Sequence, residues 1–100
     1  MGLSLSTDLD RDDAVPYFLW DQPMTVVALR GRLKSASRPE RIRLLGKILR
    51  EARDTDVWRF TTPGEVARLW GELAPHLGRR RAFWEFLLAR WKADGLLADR

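Results

Sequence analysis

The stretch Ser37-Arg38-Pro39-Glu40-Arg41-Ile42-Arg43-Leu44-Leu45-Gly46-Lys47-Ile48-Leu49-Arg50-Glu51-Ala52 decides the fold. It opens on a capping box, in which the Ser37 hydroxyl and the Glu40 carboxylate satisfy each other's orphan amides. Ile42, Leu45, Leu49 and Ala52 then recur at helical spacing, with Leu44 and Ile48 beside them, which makes an amphipathic helix. Gly46 lies next to that face, where a missing side chain admits the close approach of another helix. The opposite side carries Arg43, Lys47 and Arg50. That side reads as a solvated basic face or as a track for a phosphate backbone.

Working toward the N-terminus, Thr25 is a good cap for a shorter helix through Val26, Leu29 and Leu33 to about Lys34, weakened by Gly31. Before it, Val15-Pro16-Tyr17-Phe18-Leu19-Trp20-Asp21-Gln22-Pro23 sets four large apolar residues between two prolines, too short for a helix and poorly suited to a central strand. An extended aromatic segment is expected there. Residues 1–14 have no periodicity and carry Asp8, Asp10, Asp12 and Asp13, so they read as a disordered acidic leader.

Toward the C-terminus, Asp54-Thr55-Asp56 interrupts the pattern and Val57-Trp58-Arg59-Phe60 makes a short apolar step. A second capping box, Thr62-Pro63-Gly64-Glu65, starts a helix that turns Val66, Leu69, Trp70 and Leu73 inward and stops near Pro75. His76-Leu77-Gly78 makes a corner. The last helix spans about Arg79 to Asp94, with Gly95 as its C-terminal cap. Its Phe83, Trp84, Phe86, Leu87, Leu88 and Trp91 cover most of the circumference, so it is either central or half-covered by another protein. No segment alternates like a strand. The expected fold is therefore all-α: a compact bundle of about four main helices in short antiparallel, HEAT-like pairs, one domain over residues 15–98.

Composition bounds the chemistry. The 100 residues are one domain's worth, 45% hydrophobic and 32% charged. With no cysteine and one histidine, His76, a disulfide framework, a thiolate or multi-histidine metal site and a cysteine nucleophile are excluded. There is no glycine-rich phosphate loop, and His76 has no serine nearby that makes sense as a nucleophile. No enzyme activity, metal or cofactor is expected. No apolar run approaches the roughly 18–20 residues of a membrane span, and the aspartate-rich start is unlike a signal peptide. A cytoplasmic protein that engages no membrane is expected.

The charge is uneven. Up to Leu29 the chain carries −4, and from Arg30 onward +8, almost all of the basic residues being arginine. Such a balance suits nucleic acid or an acidic protein surface as partner. Two clusters stand out. Arg79-Arg80-Arg81 places three cations at a helix N-terminus, against the helix dipole. They either meet anions on a partner or lay their stems over Trp58, Trp70 or Trp84 and pair with Glu85 and Asp56. Five tryptophans are several times the usual share, and Tyr17, Phe18 and Trp20 concentrate in the aromatic segment. They are either hot-spot anchors for a partner or a lid folded over the helices. A helix-turn-helix reading fails, since no helix joins a basic face to Asn, Gln or Ser for reading bases.

Pro16-Tyr17-Phe18-Leu19-Trp20-Asp21 with Met24-Thr25, then Leu45-Gly46-Lys47-Ile48-Leu49-Arg50-Glu51-Ala52-Arg53 and Asp56-Val57-Trp58, form one combination with Pro75-His76-Leu77-Gly78-Arg79-Arg80-Arg81, Phe83-Trp84 and Trp91. It resembles a family of small bacterial proteins encoded just upstream of abortive-infection nucleotidyltransferase toxins of the AbiEii kind, over residues 16–97. The resemblance implies an antitoxin, the partner of a toxin that transfers nucleotides onto RNA such as tRNA. It supplies no catalytic residues, and the chain is too short for the winged helix of better-known antitoxins of such toxins. On this reading Tyr17, Phe18 and Trp20 are apolar anchors and Arg79, Arg80 and Arg81 an electrostatic clamp. The alternatives are a small basic module for RNA or operator DNA, which would use Arg43, Lys47 and Arg50, and a homodimer built through the last helix and the aromatic segment.

Overall fold

The computed structural model describes residues 5–96; residues 1–4 and 97–100, the ends of the expected leader and domain, lie outside the described residues. Helix dominates, as the apolar spacing predicts. Two short strands, β1 (Leu5–Ser6) and β2 (Val15–Pro16), pair in parallel, and a 3-10 turn follows at Tyr17–Leu19. The helices are α1 (Val26–Ser35), α2 (Arg38–Glu51), α3 (Asp54–Val57), α4 (Pro63–Arg68), α5 (Trp70–Leu73) and α6 (Arg81–Ala93).

The N-cap hydroxyls act where the sequence places them, but the glutamates of the two expected capping boxes turn elsewhere, Glu40 to Arg32 and Arg43 and Glu65 to Thr61 and Arg41. Ser37, Thr25 and Thr62 accept hydrogen bonds from the amides of Glu40, Ala28 and Glu65. Gly95, at φ +75°, ends α6, with the Leu96 amide donating to the Trp91 carbonyl and the Gly95 amide to that of Lys92. That paired arrangement closes a helix with a left-handed residue.

α2 is the central element, and it differs from the expected one-sided helix. Every residue from Leu44 to Leu49 is buried, Lys47 included. The helix meets α1, α3 and α5, while on the supposed solvated side Asp21 and Gln22 of the N-terminal segment engage Lys47 and Arg43 and leave Arg50 exposed. At Gly46 the close approach is made by the corner after α5. A methyl group on Gly46 would stand 2.6 Å from the His76 Cβ, so only glycine fits.

The leader is also a correction. Over residues 5–14 it is built into the fold: Leu9 is 2% exposed, in the core, and β1 pairs with β2. The Asp12 and Ala14 carbonyls accept from the Val27 and Val26 amides, at 3.0 and 2.9 Å. Those are orphan donors at the start of α1, which lacks an acidic first turn. Satisfying these amides and burying Leu9 outweighs the low apolar content that suggested disorder.

Two boundaries move. Asp54-Thr55-Asp56 forms α3, because the chain break falls earlier, at the extended Ala52 and Arg53, and acidic residues suit a helix start. The single helix expected from Thr62 to Pro75 is interrupted at Leu69 and becomes α4 and α5, followed by a 3-10 turn at Ala74–His76.

Candidate partner-binding surface

The expected anchors are separated by the fold. Phe18 is 2% exposed, edge-on to Tyr17 and to Phe60 with ring centroids 5.3 and 5.8 Å away. It belongs to the core and offers nothing to a partner, which corrects its assignment as an anchor. Tyr17 is half-buried and serves as a clasp: its hydroxyl donates to Asp56 Oδ2 at 2.6 Å and accepts from the Arg53 amide at 2.7 Å. Burial lifts the phenol above its ordinary pKa, and the Asp56 hydrogen bond adds to this against the opposing Arg53 amide. Trp20 alone of the three is open, at 61% exposure. The segment is thus a lid through Tyr17, Phe18 and Leu19, with Trp20 left on the surface.

The basic face of α2 is occupied as well. Lys47, 5% exposed, pairs with Asp21 and lies 5.3 Å from the centroid of the Trp20 ring. That hydrogen bond holds the Asp21 carboxyl below the usual carboxylate range. Arg43 donates to Gln22 and Glu40, both at 2.8 Å, and Arg50 to Glu51 at 2.9 Å and to the His76 carbonyl at 3.1 Å. Asp10 likewise pairs with Arg59. Two carboxylates of the acidic N-terminal segment, Asp10 and Asp21, are thus each spent on a cation of the basic body. A phosphate backbone tracking Arg43, Lys47 and Arg50 would have to displace these contacts, so the three do not form an open anion track.

The arginine triplet is more open. Gly78, at φ +52°, turns the chain into the 3-10 turn Gly78–Arg80, from which α6 departs. Arg80 lies over the rings of Phe83 and Trp84, 4.9 and 5.6 Å from their centroids. Arg81 stands 3.9 Å from Glu85 one turn on, a loose pair. Arg79 is exposed and makes no hydrogen bond or ion pair with any described residue. The stem-packing reading thus holds for Arg80, the Glu85 pairing for Arg81, and neither for Arg79. Asp56 takes no part, being held by Tyr17 and Arg59.

α6 is attached along one side. Trp84 is fully buried and its indole N–H donates to the Leu49 carbonyl at 2.8 Å, closing an orphan acceptor at the end of α2. Leu88 is buried, and Trp58 packs edge-on between Trp84 and Trp91 at 5.6 and 5.7 Å. On the other side Phe83 and Phe86 are 38% and 64% exposed. One turn apart on the helix, they form an exposed aromatic pair, preceded in the chain by Arg79 and followed by Arg90, which is held by Asp94 at 3.1 Å. The sequence signal for this pair was the surplus of apolar positions around this helix, more than one buried face can use.

Among the described residues no group of three or more His, Asp or Glu side chains is placed to hold a metal ion, and no helix is long and apolar enough to cross a membrane. No protein-family model matches the chain, and no curated protein or solved structure is significantly similar to it.

Proposed function

We propose that this protein is a non-enzymatic antitoxin that neutralises a nucleotidyltransferase toxin by direct contact, using the open side of α6 and the arginines that precede it. The observation that carries the contact surface is Phe86, 64% exposed and one helical turn from the exposed Phe83, on the helix that follows Arg79, which has no partner among the described residues. Aromatic side chains, phenylalanine among them, and arginine are enriched at protein interfaces. The choice of partner rests on the family resemblance alone. It is chemically coherent, because a nucleotidyltransferase gathers carboxylates to hold magnesium, and guanidinium forks pair with carboxylates. Trp20 supplies a third exposed aromatic. We further propose that the helices stack as short antiparallel, HEAT-like pairs, which would leave an outer helix such as α6 free to present one side.

The test is co-expression with an AbiEii-type nucleotidyltransferase, followed by purification with nuclease at low and high salt. The reading expects a stoichiometric complex that survives both treatments, and relief of toxicity. It expects Arg79→Ser together with Phe86→Ser to abolish both in a chain that still folds. Retained neutralisation in that double variant sinks the reading. Bound nucleic acid for which log affinity falls steeply and linearly with log salt, with no protein complex, replaces it with the nucleic-acid module. A self-association that Phe86→Ser dissolves, without a toxin complex, replaces it with the homodimer.

A further inference from the structure

A cavity of about 220 Å³ lies between α1, α2 and the start of α4, and no residue of α6 contributes to it. Its charged lining comes from Arg30, Lys34, Arg41 and Glu65, and its apolar lining from Leu33, Leu45 and Phe60. The charges do not cancel. Arg41 stands 3.4 Å from Glu65, whose carboxylate also accepts from the Thr61 hydroxyl and lies 3.9 Å from Arg68. Glu65 is therefore fully engaged and Arg41 is its partner. Arg30 donates to the Arg59 carbonyl at 2.7 Å and lies 4.8 Å over the centroid of Phe60. Both contacts fix its guanidinium, and neither brings a negative charge. Lys34 has no hydrogen bond or ion pair with any described residue. Two uncompensated cations thus border a concavity with an apolar lining.

We propose that this cavity binds a small organic phosphate monoester, its dianion held by Arg30 and Lys34 and its apolar or planar group against Leu33, Leu45 and Phe60. The two spare charges match a dianion, and arginine and lysine together give forked donors and a mobile point charge. A pre-set guanidinium loses little freedom on binding. The volume is below the roughly 300–1,000 Å³ of drug-sized pockets, which restricts the ligand to a compact ester.

Calorimetry and amide chemical-shift mapping with phenyl phosphate, inorganic phosphate and phenol test this. Phenyl phosphate should saturate one site and shift amides in α1, α2 and around Phe60. Inorganic phosphate, without the apolar contact, and the Lys34→Ala and Arg30→Gln variants should each bind about tenfold more weakly, and phenol not measurably. Lys34 is exposed, so its variant folds even if Arg30→Gln does not. Equal affinity for phenyl phosphate and inorganic phosphate, unchanged affinity in Lys34→Ala, or shifts gathered at Arg79, Arg80 and Arg81 instead would each overturn the proposal. Because α6 takes no part, the result is independent of the antitoxin test.

Discussion

Residues 5–21 and α6 both pack on α2, and they are held by different means. The N-terminal segment is fastened at many points by polar contacts of long reach: Asp10 to Arg59, Tyr17 to Asp56 and Arg53, Asp21 to Lys47, and two leader carbonyls to the first amides of α1. It sinks Leu9, Phe18 and Leu19 among them. α6 is fastened by a row of aromatics, with one indole hydrogen bond at its centre, and leaves its other side in water. The contrast teaches that an aromatic-rich segment is not by that token an interface. What decides is whether neighbours within the chain satisfy both its apolar area and its polar atoms.

Substitutions can break that comparison. The largest effect is expected from Phe18→Ala, at about 3–5 kcal/mol by urea denaturation, since it empties a fully packed core site. Phe86→Ala, the matching change on α6, should stay within about 0.5 kcal/mol. Equal costs for the two would mean that α6 is covered or that Phe18 is not. Leu9→Ala should cost about 2–4 kcal/mol, whereas a mobile leader would give no change.

Next in size is Tyr17→Phe, which removes the hydroxyl between Asp56 and Arg53 and should cost about 1–2 kcal/mol. The smallest effect is one of pH. The Asp21 carboxyl is held below its ordinary value by Lys47, so its share of stability is fully present above the usual carboxylate range and is lost as pH falls through the depressed value. Glu40, beside Arg43, and Glu72, beside Arg38, follow the same sign. Acid unfolding of Lys47→Met should therefore be less steep than that of the parent chain. An identical pH profile would show that the pair does not form in solution.

Much of the helical frame was legible because it rests on residue types: hydroxyls at the three caps, glycine after α6, apolar residues at helical spacing. The leader was not, because it acts through carbonyl groups, which every residue carries, and through one leucine among aspartates. The burial of Lys47 was equally hidden. Periodicity assigns a side chain to a side of its helix, but not to what else in the chain lies over that side. The break at Leu69 falls two residues before Gly71, a weak helix former that the apolar spacing passes over. Of the candidate surface, the surplus of aromatics on the last helix pointed to an open side. That Phe18 is core while Trp20, two residues later, is exposed depends on a 3-10 turn that two flanking prolines do not specify.

The tethers of the N-terminal segment impose an order of assembly. Tyr17 and Asp56 are 39 positions apart, and Asp10 and Arg59 are 49 apart. On a ribosome, which releases the N-terminus first, the segment emerges early and waits for its partners until α3 and the residues after it have followed. Leu9, Phe18 and Leu19 are uncovered during that interval, and a long loop must close before any of these contacts stabilises the chain. Residues 5–21 are thus made before the residues that hold them and settle after them, and slowing translation between residues 21 and 60 would lengthen the time their apolar side chains spend open to chaperones or to aggregation.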